Sequence, residues 1–249
     1  MSNHVEFDFS GARVLGTGGT SGIGHAVARA FASAGAAVTV TGTRASAAEY
    51  DTELGGFDYH RLQVADPSSV DELAGSFDVL DVLVNNAGAT MPGGRDEWDP
   101  EGFAASVDLN LVGPVRLTLG LRRALFASEQ HGGASVVNLA SMAALRAVPM
   151  VPGYGAAKAG VVNLTANLAH RWAGRGVRVN AVAPGLIETP MTAPMAAFPE
   201  LLDAELAHIP MGRAGTPDEV TGAVMFLSSS AATYLTGHTL AVDGGYLAG

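Results

Sequence analysis

The sequence predicts an α/β fold in which helices cover both faces of a doubly wound, parallel sheet of seven strands. Short apolar runs alternate with helical patterns along the 249 residues, an order that is typical of parallel sheets. Hydrophobic residues make up 48% of the chain and charged residues only 15%, so a large buried core is expected. Many of the 32 glycines stand where a strand gives way to a helix. We expect one domain over residues 1–249.

The predicted strands are short and rich in apolar or β-branched residues, as is usual for strands that are covered on both faces. The run AVTVT at residues 37–41 is one example. In chain order, the seven predicted strands are residues 12–17, 37–41, 59–64, 79–84, 135–139, 177–182 and 239–242.

The predicted helices lie between or after these strands, and two of them have clear local signals. Asp66 can cap a helix whose first residue is Pro67. Residues 153–174 are rich in alanine and leucine and contain no proline, which favours a long helix. In chain order, the predicted helices are residues 23–34, 67–77, 100–128, 153–174, 199–207 and 217–228.

The longest irregular stretch, residues 183–199, follows the sixth strand. It contains prolines at 184, 190 and 194 and methionines at 191 and 195. A soft, apolar loop after the carboxyl end of a strand favours a lid over a substrate. An irregular connection without such a role is the alternative.

Charge and composition exclude several classes of function. The formal net charge is −10 and the basic residues form no run, which argues against nucleic acid or a membrane as partner. The chain has no cysteine, and its seven histidines show no metal-ligand spacing, so neither thiolate catalysis nor a metal site is expected. The first residues lack the features of a signal peptide, and no apolar run could span a bilayer. A cytoplasmic protein is expected.

A glycine-rich turn, TGGTSGIG at residues 17–24, follows the first strand and opens the first helix. In this position backbone N–H groups and the positive end of a helix can hold a pyrophosphate. Gly18 would allow the tight turn, Gly22 the approach of a phosphate, and Gly24 close packing of the helix on the sheet. A packing turn without a ligand is the alternative.

Tyr154 and Lys158 stand four residues apart in the long predicted helix, so they share one face of it. An ammonium beside a phenol favours the phenolate, which predicts a lowered pKa for Tyr154. Such a pair also arises by chance on ordinary helices, and taken alone it favours no chemistry.

Together these motifs resemble the short-chain dehydrogenases/reductases, nearly from end to end. The glycine turn, NNAG at 85–88, Asn110 in NLVG, Ser141 and the Tyr154–Lys158 pair all match that family's pattern. So do PGLIETPM at 184–191 and the tail LTGHTLAVDGG. The resemblance implies a Rossmann fold, NAD or NADP as cofactor, and hydride transfer between nicotinamide and a secondary alcohol or ketone.

The resemblance also assigns a catalytic role to each of four residues. Tyr154 would exchange a proton with the substrate oxygen. Lys158 and the cationic nicotinamide would together lower the pKa of Tyr154, and Lys158 would also hydrogen-bond the nicotinamide ribose. Ser141 would hold the substrate oxygen, or it caps a turn. Asn110 would hold a water that links Lys158 to solvent, or it is a structural hydrogen-bonder in the long helix.

Further residues would line the cofactor site. Asn86 and Gly88 would lie near the adenosine, the glycine permitting close contact. Ile187 would present backbone groups to the carboxamide, and Thr189 its hydroxyl, although Thr189 could instead cap a short lid helix. The full predicted set is Gly18, Thr20, Ser21, Gly22, Ile23, Gly24, Thr43, Arg44, Gln63, Val64, Asn86, Ala87, Gly88, Tyr154, Lys158, Pro184, Gly185, Ile187 and Thr189.

The choice between NADP and NAD depends on the end of the second strand. Gly42 stands where NAD-preferring relatives often carry an acid that binds the ribose, and Arg44 could pair with a 2′-phosphate. NADP is therefore slightly favoured, with a solvated Arg44 as the alternative. Gln63 replaces a common aspartate and could still bind adenine, while Asp66 is better explained as the helix cap.

The predicted substrate wall comprises residues 89–94, 142–143, 148–152 and 186–198. Its methionines and small residues favour an uncharged, mostly apolar alcohol or ketone, although methionines also fill gaps in cores. The resemblance implies a homotetramer joined by the long helices and the last strand. Two rival functions are a non-catalytic dinucleotide sensor and a lyase or dehalogenase; the filled catalytic positions and the intact glycine turn argue against them.

Overall fold

The computed structural model describes residues 5–248 and contains one seven-stranded, entirely parallel sheet. The strand order is β3-β2-β1-β4-β5-β6-β7. All seven predicted strands are present, with ends that differ from the predicted ones by up to three residues. The strands are β1 (Arg13–Gly16), β2 (Ala37–Gly42), β3 (Asp58–Arg61), β4 (Val82–Asn85), β5 (Ala134–Leu139), β6 (Val177–Pro184) and β7 (Thr239–Val242).

Eight α-helices connect or flank the strands in the described part of the chain. Asp66 accepts a bond from the Ser68 N–H at 2.9 Å, so the predicted cap of the second helix is confirmed. The helices are α1 (Gly22–Ser33), α2 (Pro67–Gly75), α3 (Pro100–Val107), α4 (Gly113–Gly120), α5 (Arg122–Phe126), α6 (Pro152–Trp172), α7 (Pro199–Ala207) and α8 (Pro217–Ser228).

The predicted helix over residues 100–128 is divided. A π-helical turn over Asp108–Val112 joins α3 to α4, and the Gly113 N–H bonds to the Asp108 carbonyl five residues back. Pro114 has no N–H to donate to the Asn110 carbonyl, which favours the wider turn here. A β-carbon at Gly113 would lie 2.2 Å from the Val64 carbonyl oxygen, so only glycine lets the helix pass so near the end of β3.

The sheet is buried on both faces because neighbouring strand residues enter different cores. Val14 of β1 packs in a core with Phe31 of α1 and Val224 of α8. The next residue, Leu15, packs on the other face with Leu117 of α4 and Trp172 of α6. This double burial explains why the inner strands are apolar at successive positions and show no alternation; the edge strands β3 and β7 are only partly buried.

The strand order reverses direction between β1 and β4, which opens a crevice at the carboxyl ends of these strands. The glycine turn follows β1, NNAG runs from the end of β4, and Ser141 follows β5. All of these motifs therefore meet at the carboxyl ends of the parallel strands.

The predicted lid, residues 183–199, is partly ordered by strand and helical structure. β6 continues to Pro184, and Ala193–Ala197 form a 3-10 turn. Ile187 is buried and forms a parallel bridge with Gly215. The segment is therefore anchored at its start and projects from the carboxyl edge of the sheet.

Within residues 5–248, no helix is long and apolar enough to cross a membrane. The same residues contain no group of three or more His, Asp or Glu side chains placed to hold a metal ion. Residues 1–4 lie outside the described residues. They include His4 and the start of the segment that lacks signal-peptide features.

Candidate active site

Tyr154 and Lys158 share one face of α6, as predicted. The Lys158 Nζ lies 5.5 Å from the centroid of the Tyr154 ring and donates to the carbonyl of Leu139, the last residue of β5, at 2.6 Å. Lys158 is 4% exposed, and it is the sole lysine of the whole chain. The strand end thus fixes the position of the ammonium beside the phenol.

Ser141 joins this pair from the segment after β5. Its side chain hydrogen-bonds with that of Tyr154, and its Oγ accepts from the Ala143 N–H at 3.1 Å. Ser141 therefore caps the 3-10 turn Met142–Ala144 and also touches the phenol. The alternative in which Ser141 caps a turn is confirmed, and its role in holding the substrate oxygen stays a prediction.

The prediction that the pKa of Tyr154 is lowered is wrong as far as the side chains around the phenol are concerned. Burial raises the pKa of Tyr154, the bond with Ser141 opposes this, and the negative charge of Glu97 raises it further. Burial also lowers the pKa of Lys158 to about 8. The phenol consequently keeps its proton, and the Lys158 ammonium loses its proton at a lower pH than a free lysine does.

Asn110 lies in the π-helical turn and is 0% exposed. Its Nδ2 donates to the carbonyls of Ala89 at 2.8 Å and Ser106 at 3.0 Å, and its Oδ1 accepts from the Ala89 N–H at 3.2 Å. A β-carbon at Gly88 would lie 2.5 Å from that Oδ1. Within the described chain, the amide therefore has the structural role, and Gly88 is glycine because Asn110 occupies the adjacent space.

The glycine turn has the backbone geometry that its sequence predicts. Gly18 and Gly22 have φ of 66° and 52°, in the left-handed region that favours glycine. Ser21, the residue before α1, makes no side-chain capping bond, and the first turn carries no acid. The positive end of α1 thus faces the crevice without neutralisation by its own residues.

The predicted reason for Gly24 is wrong. A β-carbon there would lie 2.3 Å from both the Asn86 Nδ2 and the Gly18 carbonyl oxygen, so the glycine accommodates the turn itself and not the sheet. Asn86 donates that amide to the carbonyls of Thr17 at 3.0 Å and Gly18 at 3.1 Å. Its side chain thereby ties the segment after β4 to the turn after β1, because both lie at the same sheet edge.

At the end of β2, Gly42 leaves no space for any side chain. Its β-carbon would lie 2.3 Å from the Tyr50 Oη and 2.7 Å from Thr20 Cγ2. The Arg44 N–H donates to the same Oη at 2.9 Å, and its guanidinium lies 4.7 Å from the centroid of the Tyr50 ring. Arg44 is exposed, but the stacking on Tyr50 restricts the orientation of its guanidinium.

Gln63 follows β3 and bridges to the neighbouring strand end. Its Nε2 donates to the Thr43 carbonyl at 3.1 Å, and its N–H donates to Ser69 Oγ at 3.0 Å. Val64, the next residue, contacts the π-turn region near Gly113. The bond to Thr43 thus ties Gln63 to the segment that carries Arg44.

The segment after β6 reaches back to the glycine turn. A β-carbon at Gly22 would lie 3.2 Å from Thr189 Cγ2, and one at Gly185 would lie 2.8 Å from Asp243 Cα. The Ile187 carbonyl accepts from Thr192 Oγ1 at 2.6 Å. Thr192 and not Thr189 precedes the 3-10 turn, so the alternative role of Thr189 as a cap is wrong.

Sequence reasoning missed two residues of the site. Glu97 is 1% exposed and binds the Tyr154 N–H at 2.7 Å, although its acidic surroundings RDEWD are typical of a solvated loop. Tyr50 lies in a Ser- and Ala-rich stretch without a motif. Neither residue had a local signal, because both act on residues that are distant or on another element.

Comparison with known proteins identifies the family. The family model described as enoyl-(acyl carrier protein) reductase matches residues 16–247. Galactitol 2-dehydrogenase (L-tagatose-forming) of Cereibacter sphaeroides is 37% identical and covers 99% of both chains. The protein is a short-chain dehydrogenase/reductase.

Two further relatives of this short-chain dehydrogenase/reductase agree with that assignment. D-threitol dehydrogenase of Mycolicibacterium smegmatis is 36% identical over 97% of this chain and 96% of the relative. The solved structure of a gluconate 5-dehydrogenase from Burkholderia cenocepacia, in complex with NADP and tartrate, has a TM-score of 0.86 and 29% identity and covers 98% of both chains.

The predictions of the family, of the Rossmann fold and of an NAD(P)-dependent alcohol or ketone oxidoreductase are confirmed. A non-catalytic sensor is not favoured, because the named relatives are dehydrogenases and reductases.

Proposed function

We propose that this short-chain dehydrogenase/reductase interconverts a secondary alcohol and a ketone, with Tyr154 as the general acid and base and NADP as the favoured cofactor. The observation that carries the proposal is the cluster at the end of β5. There Ser141 bonds the phenol, and Lys158 is held 5.5 Å from the ring centroid by the Leu139 carbonyl.

The residues fit a dinucleotide. The left-handed Gly18 and Gly22 and the uncapped start of α1 suit a pyrophosphate. Gly42 leaves the ribose side of the crevice without an acid, and the stacked Arg44 suits a 2′-phosphate. NADP is bound in the solved gluconate 5-dehydrogenase, which supports the same preference here. The remaining predicted contacts, among them Ile23, Ala87 and Pro184, are part of this proposal.

A nicotinamide bound in this crevice would supply or accept hydride at the substrate carbon. In the reduction direction Tyr154 donates its proton to the carbonyl oxygen, and Ser141 holds that oxygen by its hydroxyl. The raised pKa of Tyr154 keeps the proton available until the transfer. In the oxidation direction the phenol must first lose its proton, which the Lys158 ammonium favours.

A water beside Lys158 would complete the proton path that the family resemblance assigns to Asn110. A cavity of about 10 Å³ lies between Asn110, Lys158 and Asn85, enough for about one water. Asn85 Oδ1 faces no hydrogen-bond partner among the described residues and could accept from that water. The Asn110 side chain is already hydrogen-bonded to Ala89 and Ser106. The contribution of Asn110 to this path would therefore come from its backbone carbonyl.

The substrate is a small-molecule alcohol or its ketone. The named relatives act on galactitol and D-threitol, which favours a polyol. The exposed Met91, Met150 and Met191 favour a more apolar molecule, whereas Met142 and Met195 pack against the cluster around Tyr246. We place the polyol class first.

The test is the absorbance of NADPH or NADH at its long-wavelength maximum, followed with a panel of sugar ketones and apolar ketones. Oxidation of NADPH by members of one class, abolished in Tyr154→Phe, is expected. Tyr154→Phe should bind NADPH with unchanged affinity, since the phenol's proton is needed only for transfer. Turnover that survives in Tyr154→Phe would disprove the role of Tyr154.

We also propose a cytoplasmic homotetramer, each chain forming one domain over residues 1–249. The exposed apolar side chains Phe103, Val112 and Leu119 lie along the α3–α4 region, and β7 forms one edge of the sheet. Sedimentation equilibrium should give four times the mass of 25.3 kDa. A monomer at micromolar concentration would contradict this assembly.

A further inference from the structure

Glu97 is a buried carboxylate in a loop that is otherwise open to solvent. It is 1% exposed, whereas Arg95, Asp96 and Trp98 beside it are exposed. Burial of a carboxylate is costly unless hydrogen bonds compensate for the lost water. The burial of Glu97 therefore calls for a set of fixed partners.

One oxygen of Glu97 binds the start of the catalytic helix. Oε2 accepts from the Tyr154 N–H at 2.7 Å, at the third residue of α6, where the helix presents free N–H groups and a positive end. A β-carbon at Gly153 would lie 3.2 Å from that oxygen and 3.0 Å from Ser106 Cβ. Glycine before Tyr154 thus permits this close contact.

The other oxygen binds two further parts of the site. Oε1 accepts from the Met91 N–H at 2.8 Å and from Ser106 Oγ at 3.1 Å. Met91 has a φ of 43°, a left-handed conformation that non-glycine residues rarely adopt. The Ser106 carbonyl in turn accepts from Asn110 Nδ2 at 3.0 Å.

We propose that Glu97 is a positioning residue of the hydride-transfer site. Its carboxylate holds the Tyr154 backbone at a fixed position relative to Asn110 and the strained Met91 loop. The inference rests on the proposed role of Tyr154 as general acid and base. Glu97 is argued to act through the backbone and through its charge, without contact with the substrate.

The charge of Glu97 also has a consequence for the phenol. The charged groups that face Tyr154 are Lys158 on its own helix and Glu97 from the loop after β4, and Ser141 adds a hydrogen bond. After burial, the negative charge of Glu97 is the cause that raises the pKa of Tyr154. Removal of that charge should let the phenol lose its proton at a lower pH.

The test compares the pH dependence of kcat in Glu97→Gln and Glu97→Asp, with the exposed Glu101→Gln as control. In ketone reduction, kcat falls as pH rises through the pKa of Tyr154, and this fall forms the alkaline limb of the pH profile. Glu97→Gln should move this limb to lower pH by about one unit and lower kcat about tenfold. Glu97→Asp keeps the charge but shortens the side chain, so kcat should fall with the limb in place. NADPH affinity should be unchanged in all three variants.

A merely structural role predicts a lower melting temperature without movement of the limb, and that result in folded Glu97→Gln would overturn the proposal. If Glu97→Gln does not fold, Glu97→Asp and Ser106→Ala carry the test, and an unchanged kcat in both would overturn it. Failure of the proposed function is distinguishable, because wild-type protein would then oxidise no NADPH or Tyr154→Phe would remain active.

Discussion

The Lys158 ammonium donates to the Leu139 carbonyl at 2.6 Å, so the last residue of β5 fixes the cation of the proposed catalytic pair. Burial lowers the pKa of Lys158 from 10.5 to about 8. Between these two values the unfolded chain keeps its proton and the folded protein loses it, so the unfolded state binds more protons. The contribution of Lys158 to stability therefore rises with pH across this window and is constant below it.

Because Lys158 is the sole lysine, its titration can be followed directly. Protein labelled with ¹³C at the lysine Cε should give one NMR signal with a midpoint of about pH 8. The free energy of unfolding, relative to Lys158→Met, should rise by roughly 3 kcal/mol between about pH 8 and about pH 10.5. A midpoint near 10.5, or a constant difference between the two proteins, would show that burial does not perturb this group.

Arg44→Ala should weaken NADPH binding about tenfold and leave NADH binding within about twofold, because in the proposed complex the guanidinium pairs with the 2′-phosphate, which NADH lacks. Dissociation constants from fluorescence titration measure both. Arg29→Ala is the matched control, since Arg29 is an exposed arginine that lies near Asp218 of α8. Equal losses for the two cofactors would mean that Arg44 does not discriminate between them.

Gly42→Ala should destabilise the protein by about 1–3 kcal/mol, because its β-carbon would meet the Tyr50 Oη at 2.3 Å. Tyr50→Phe in the same chain removes that oxygen and should recover part of the loss, while the contact with Thr20 remains. A urea-unfolding double-mutant cycle measures the coupling. Strictly additive effects would show that Tyr50 is not what excludes a side chain at position 42.

Gly88→Ala should lower kcat more than it affects NADPH binding, because the new methyl would displace the Asn110 amide from Ala89. A loss of about tenfold or more in kcat is expected from such a shift. Gly75→Ala at the end of α2 is the control, since a β-carbon there meets nothing within 4 Å. Steady-state kinetics on both variants decide the matter, and equal activities would contradict the packing argument.

The features that local sequence determined are those with short-range causes. The spacing of Tyr154 and Lys158 places both on one helical face by geometry alone, and the glycine turn has the positive φ angles that its glycines allow. Asp66 and Pro67 start α2 as their capping chemistry requires. The burial of β1 and the other inner strands on both faces explains why apolar runs marked them, whereas the edge strands β3 and β7 are only partly buried.

Tertiary structure decided the features whose causes lie far away in the chain. Glu97 is buried because Tyr154, 57 residues later, supplies an N–H for it, and nothing in RDEWD records that contact. The pKa of Tyr154 is raised because burial outweighs the opposing hydrogen bond with Ser141 and the charge of Glu97 raises it further. Spacing along a helix determines which groups can meet, whereas their protonation depends on the water and charge that the whole fold leaves around them.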